Sequence, residues 1–185
     1  MKKVINKNVD LSKLNLDSIP DIFQGVEVRS DFYCSYNQLT SLKGAPEYVR
    51  GGFYCYHNQL TSLKGAPERV DNGHFSCGYN QLTSLEGAPV HVGGDFSCIN
   101  NQLTSLKGAP KHVGNDFYCF GNQLTSLEGA PEHIGGDFNC HGNQLTSLEG
   151  APEYVGGDFN CQNNAVKFTE EQVRAVCHVD GDIYV

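Results

Sequence analysis

The feature that most constrains this chain is a spacing. Eight cysteines fall at Cys34, Cys55, Cys77, Cys98, Cys119, Cys140, Cys161 and Cys177, and the first seven lie 21, 22, 21, 21, 21 and 21 residues apart. A constant interval marks an internal repeat, not a disulfide framework. Aligned on the cysteines, the copies read Phe-x-Cys-x-x-Asn-Gln-Leu-Thr-Ser-Leu-(Lys/Glu)-Gly-Ala-Pro-x-x-(Val/Ile)-x-x-x. The asparagine three residues after Cys is the same in all seven copies: Asn37, Asn58, Asn80, Asn101, Asn122, Asn143 and Asn164. One copy carries an extra residue within Val70-Asp71-Asn72-Gly73-His74, where an Asn-Gly turn can absorb it.

Phe-x-Cys alternates apolar and polar positions, the period of a half-buried strand. One coil offers only a Phe, two Leu and a Val as large apolar groups. That is too little to offset the backbone entropy of ordering it, so coils must stack and share their faces. Between Leu42 and Val49, Gly44 and Pro46 leave no room for a helix. That side is expected to hold turns or short 3-10 pieces.

The string Phe-x-Cys-x-x-Asn-x-Leu-x-x-Leu resembles the Leu-x-Leu-x-x-Asn-x-Leu core of leucine-rich repeats, with Phe and Cys in two leucine positions. It is most similar to the short bacterial type, whose units also carry Asn-Gln-Leu-Thr-Ser-Leu followed by proline. Similar near-identical arrays occur in uncharacterised bacterial and tailed-phage proteins. The resemblance spans about residues 32–164. It implies a leucine-rich-repeat solenoid with a parallel β-sheet on the concave face and turns and short 3-10 pieces on the convex face. It says nothing of a ligand, because the family is defined by its scaffold.

The ends depart from the repeat. Residues 1–31 read as an N-terminal cap with a degraded unit, Leu16-Asp17-Ser18-Ile19-Pro20 standing where Leu39-Thr40-Ser41-Leu42 stands later. Residues 32–164 form the seven-coil array, and 165–185 a C-terminal capping helix and a final strand. The helix is expected over Phe168–Val176, with Thr169 and Gln172 at capping-box spacing. Ile183-Tyr184-Val185 repeats the strand, with Val185 in the Cys slot. No second domain and no linker are expected.

Positions that vary between copies are where recognition could be written. The residues after Phe, after Cys and two after Cys gather Tyr33, Tyr36, Tyr54, Tyr56, His57 and Tyr79, extended by Ile99, Tyr118 and Phe120. Such a density of exposed aromatics suits a partner-binding surface. Aromatic residues also suit strands through cross-strand stacking alone, and both readings stay open. Before Phe, Asp95, Asp116, Asp137 and Asp158 form an acidic edge, which either attracts cations or a basic partner or caps its own turns. His91, His112 and His133 stack on the back without neighbours that complete a metal set. The cysteines read as small buried hydrophobes in a reducing compartment, and the asparagines as partners for backbone groups at the bend.

Thirteen Lys+Arg against twenty-one Asp+Glu, a net charge of -8, provide no basic face for phosphates, so no nucleic-acid partner is expected. No apolar run approaches the roughly 20 residues of a membrane span, so no membrane association is expected. The positive start at Met1-Lys2-Lys3 lacks the apolar stretch of a secretion signal, which makes the cytoplasm the expected location, that of the host cell if the gene is phage-borne. No Ser-His-Asp arrangement or phosphate-cradling loop can be assigned, and no enzyme activity, cofactor or metal is expected. The leading expectation is a non-catalytic protein-binding module using the concave aromatic face, an inhibitor of a host protein if phage-borne. The alternatives are end-to-end self-assembly into homo-oligomers through the edge at Ile183–Val185, and glycan binding on the aromatic face.

Overall fold

The computed structural model describes residues 3–185. The chain winds as a parallel β-solenoid of about nine turns, held by two nine-stranded parallel sheets. One sheet carries the Phe-x strands: Val9–Asp10, Phe32–Tyr33, Phe53–Tyr54, Phe75–Ser76, Phe96–Ser97, Phe117–Tyr118, Phe138–Asn139, Phe159–Asn160 and Ile183–Tyr184. Equivalent positions pair in register, Phe53 on Phe75 and Phe75 on Phe96. The aromatic rings stack inside the coil, Phe32 over Phe53 at 5.5 Å and 6°. At the N-terminal end, Phe23 from the 3-10 helix Asp21–Phe23 meets Phe32 edge-on at 5.4 Å and closes the column.

The second sheet is a departure from the single-sheet expectation. It runs through Lys3–Ile5, Val26–Val28, Tyr48–Val49, Arg69–Val70, His91–Val92, His112–Val113, His133–Ile134, Tyr154–Val155 and His178–Val179. The buried Val or Ile of each pair extends the core, while its neighbour faces out. Two residues between a Pro-x segment and a Gly pair are too few to show a strand period, so this sheet leaves no trace in hydrophobic patterning.

A three-residue turn such as Gly93-Gly94-Asp95 links the two strands of a coil, and four residues, Asp71 to His74, make the same turn where the extra residue lies. Neighbouring turns touch backbone to backbone: a Cβ at Gly114 would run into the carbonyl oxygen of Gly93. In the repeated coils the Leu-x-Gly-Ala side is built of turns, and the one 3-10 piece among the described residues, Asp21–Phe23, lies at the corresponding place in the N-terminal unit. The N–H of Ala45 donates to the carbonyl of Leu42 at 3.0 Å with Gly44 at φ 93°, the signature of a type II turn. A positive φ at its third residue is incompatible with a 3-10 turn, and the arrangement recurs coil after coil.

The final segment forms a helix only over Glu170–Arg174, shorter than expected, with the Thr169–Gln172 capping box in place. Phe168, Val173 and Cys177 pack into the core beside it. Ile183–Tyr184 pairs with Phe159–Asn160, so Val185 follows in the Cys slot. Among the described residues, no helix is long and apolar enough to cross a membrane.

Candidate functional site

Inside the Phe-x-Cys sheet lie two columns with structural duties. All eight cysteines are buried and free, and burial pushes their thiols up from the ordinary value, to about 11 for Cys161 and Cys177 at the C-terminal end. The asparagines stitch neighbouring coils together. The amide of Asn101 donates to the carbonyls of Cys98 (3.1 Å) and Cys77 (3.2 Å), and its oxygen accepts the N–H of Leu82 at 3.0 Å. The same pattern holds from Asn37 to Asn164. Each side chain thus satisfies backbone groups in its own coil and in the one before.

The acidic edge is also a ladder, and it caps the following coil, not its own turn. The carboxylate of Asp116 accepts the N–H of Asp137 at 2.8 Å, and Asp137 accepts that of Asp158 at 2.8 Å. Asp95 accepts the N–H of Asp116 at 3.4 Å. Asp31 does the same for Gly52, and in the third coil the imidazole of His74 accepts from Asp95 at 2.9 Å. The second carboxylate oxygens turn outward, where Asp31 accepts the Tyr33 hydroxyl (2.9 Å) and Asp116 the Tyr118 hydroxyl (2.6 Å). Burial, followed by these hydrogen bonds, holds both phenols above their ordinary range, Tyr33 at about 12.

The nine recognition candidates all lie on the outer side of the Phe-x-Cys sheet or its following bend, but in three separate columns. Tyr33, Tyr54 and Tyr118 belong to the position after Phe. Tyr33 and Tyr54 stack at 4.8 Å and 6°. Tyr56, Ile99 and Phe120 belong to the position after Cys, where Phe120 stacks on His141 at 4.7 Å and Ile99 covers Gly78, leaving no room for a Cβ there. Tyr36, His57 and Tyr79 belong to the third column and stack continuously, at 4.6 Å between Tyr36 and His57 and 4.3 Å between His57 and Tyr79. Of the nine, Tyr36 and Tyr79 remain exposed, at 46% and 45%, and the others are half-buried, several of them against side chains or backbone of the adjoining coil.

The third column has a backbone property that its residue types do not announce. Tyr36, His57, Tyr79, Asn100 and Asn163 have φ between 50° and 56°, and Gly121 and Gly142 take the same left-handed turn. Lys13, at φ 59°, occupies the equivalent place at the N-terminal end, its ammonium 5.3 Å from the Tyr36 ring. Gly and Asn adopt this conformation readily, whereas bulky aromatic residues do so at a cost of about 1–2 kcal/mol each. Asn100 lies against Gly121, where a Cβ would meet its side-chain oxygen.

On the outer face of the second sheet, His91 and His112 lie 6.3 Å apart and His133 lies 6.2 Å from Tyr154. No group of three or more His, Cys, Asp or Glu among the described residues is placed to hold a metal ion.

The geometry defines a repeat protein of the parallel β-solenoid class, with two strands per coil. No protein-family model matches the sequence, and no curated protein matches it.

Proposed function

We propose that this chain is a non-catalytic binding module of the leucine-rich-repeat kind that holds a protein partner on the outer face of its Phe-x-Cys sheet. One observation carries the reading: Tyr36, His57 and Tyr79 occupy a left-handed bend that the same chain builds with Gly121 and Gly142 elsewhere. Strained aromatic residues at an outward position, where an unstrained residue serves later in the array, mark a surface kept for contact. Their stack also favours protein over carbohydrate. Sugars pack on ring faces, and here those faces lie against one another, with Lys13 over the first ring. Eight buried free thiols suit a reducing compartment such as the cytoplasm.

The test is a paired capture from native-host lysate with the wild-type chain and with Tyr36→Gly, His57→Gly, Tyr79→Gly combined, followed by binding of the purified partner to both. A protein partner bound by the wild type and released by the triple variant is the expected result. Equal binding to both removes this stack from the function. An empty capture alongside a positive glycan screen replaces the protein reading.

A further inference from the structure

The column after Phe reads Tyr33, Tyr54, Ser76, Ser97, Tyr118, so two consecutive small residues interrupt a line of tyrosines. The interruption is a hollow of about 500 Å³ with Ser76 and Ser97 as its floor and Tyr54 and Tyr118 at its two ends. Tyr54 is stacked on Tyr33 behind it, which leaves its other face toward Ser76 uncovered. Tyr118 repeats the Tyr33 arrangement, its hydroxyl held by the aspartate two residues earlier, so its ring lies across the coil in the same way.

The rim carries one carboxylate, Asp95, whose outer oxygen lies 3.0 Å from Nδ1 of His74, and no Lys or Arg is among the lining residues. Tyr54 has Gly52 where Tyr33 and Tyr118 have an aspartate, its ring filling the place a Cβ would take. Its hydroxyl therefore has no hydrogen-bond partner among the described residues. Aromatic faces combined with carboxylates are the chemistry that receives cations, guanidinium above all.

The width selects more than a single charge. Tyr54 and Tyr118 stand three strands apart, about 14 Å at ~4.8 Å per strand. One flat group cannot touch both ends, since contacts of roughly 3.5–4.0 Å on either side of it span only about half that width. Alternate side chains of an extended segment stand about 6.5–7 Å apart. Two of them, lying along the solenoid axis, each reach contact distance from one tyrosine.

We propose that this hollow receives two alternate cationic side chains, arginine or lysine, of an extended segment of the partner protein. The assignment rests on the protein-binding reading and names the chemistry the partner must bring. A chain of net charge -8 adds long-range attraction for such a segment, which salt will screen.

The experiment uses the whole chain and labelled Gly/Ser peptides carrying Arg-x-Arg, Arg-Arg, Arg-x-x-x-Arg or Glu-x-Glu, with fluorescence anisotropy as the readout. Arg-x-Arg is expected to bind about tenfold tighter than the other arginine spacings, and Glu-x-Glu not at all. Ser97→Tyr should abolish this preference by refilling the hollow. The column already accepts tyrosine in three coils, and Asp95 stands two residues before position 97 as Asp116 stands before Tyr118, although its outer oxygen now faces His74. Asp95→Asn should weaken Arg-x-Arg binding while keeping the shape. Equal affinity for every arginine spacing, undiminished binding by Ser97→Tyr, or no binding of Arg-x-Arg overturns the assignment. A natural partner that is lost with the glycine variant of the stack yet binds Ser97→Tyr normally overturns the hollow and leaves the protein-binding reading standing.

Discussion

Asn101 holds Leu82 from the neighbouring coil: the side-chain oxygen of one accepts the backbone N–H of the other at 3.0 Å, with both residues buried. Removing the amide leaves that N–H without a partner in a place water does not reach. Asn101→Ala should therefore cost about 1–3 kcal/mol for the orphaned donor alone, with more from the carbonyls of Cys77 and Cys98. Urea unfolding of wild type and variant measures it. A loss well under 1 kcal/mol would mean that the ladder contributes geometry and not stability.

Leu103 is fully buried in the middle of the array. Leu103→Ala should destabilise by about 2–5 kcal/mol, because stacked coils on both sides limit collapse into the void. The same denaturation experiment decides it.

His57→Gly has two opposing effects. It relieves a left-handed β-carbon, a gain of about 1–2 kcal/mol, and it removes two ring stacks worth about 0.5–1.5 kcal/mol each. The expected net change in stability is within about 2 kcal/mol of zero, while partner affinity falls. A stability loss of several kcal/mol would show that the stack serves the fold instead.

The thiols should be nearly inert in the native state, because burial holds them protonated. Cys161 and Cys177, at about 11, are the least shifted and lie at the C-terminal end. Alkylation with iodoacetamide at pH 8, mapped by mass spectrometry, should label these two first and the Cys34–Cys140 column only on unfolding. Early labelling of Cys98 would contradict the buried column.

Tyr33 titrates at about 12 in the folded chain, raised by burial and by its bond to Asp31, against an ordinary phenol near 10. The folded state therefore holds this proton more tightly. The resulting stabilisation is complete below about pH 10 and lost as pH rises toward 12. The stability difference between wild type and Tyr33→Phe should shrink over that interval and stay constant from pH 6 to 9.

The Phe-x-Cys strand is legible in the sequence because seven aligned copies repeat one alternation. The Tyr48–Val49 type of strand is not, since two residues carry no period. Asn37 and its counterparts announce a hydrogen-bonding duty through their constancy, yet only the stacked coils show that each one serves two turns. The acidic edge is legible as a column, whereas its capping of the next coil depends on a register that spacing does not encode. The left-handed bend has a trace: Gly121, Gly142, Asn100 and Asn163 share a column with Tyr36. The aromatic types there hide it, because they are the residues least expected to adopt it. Stacking also covers much of the ring area that composition alone would leave exposed.

Ile99 over Gly78 and Asn100 against Gly121 fit one coil to the neighbour on each side of it. In an array whose units are almost interchangeable, the gravest folding error is a correct coil stacked in the wrong order. A coil bearing a larger side chain at either glycine position would meet Ile99 or Asn100 at too short a distance. These two contacts lie outside the repeat consensus and give this coil a fit to its neighbours that the shared residues alone do not supply.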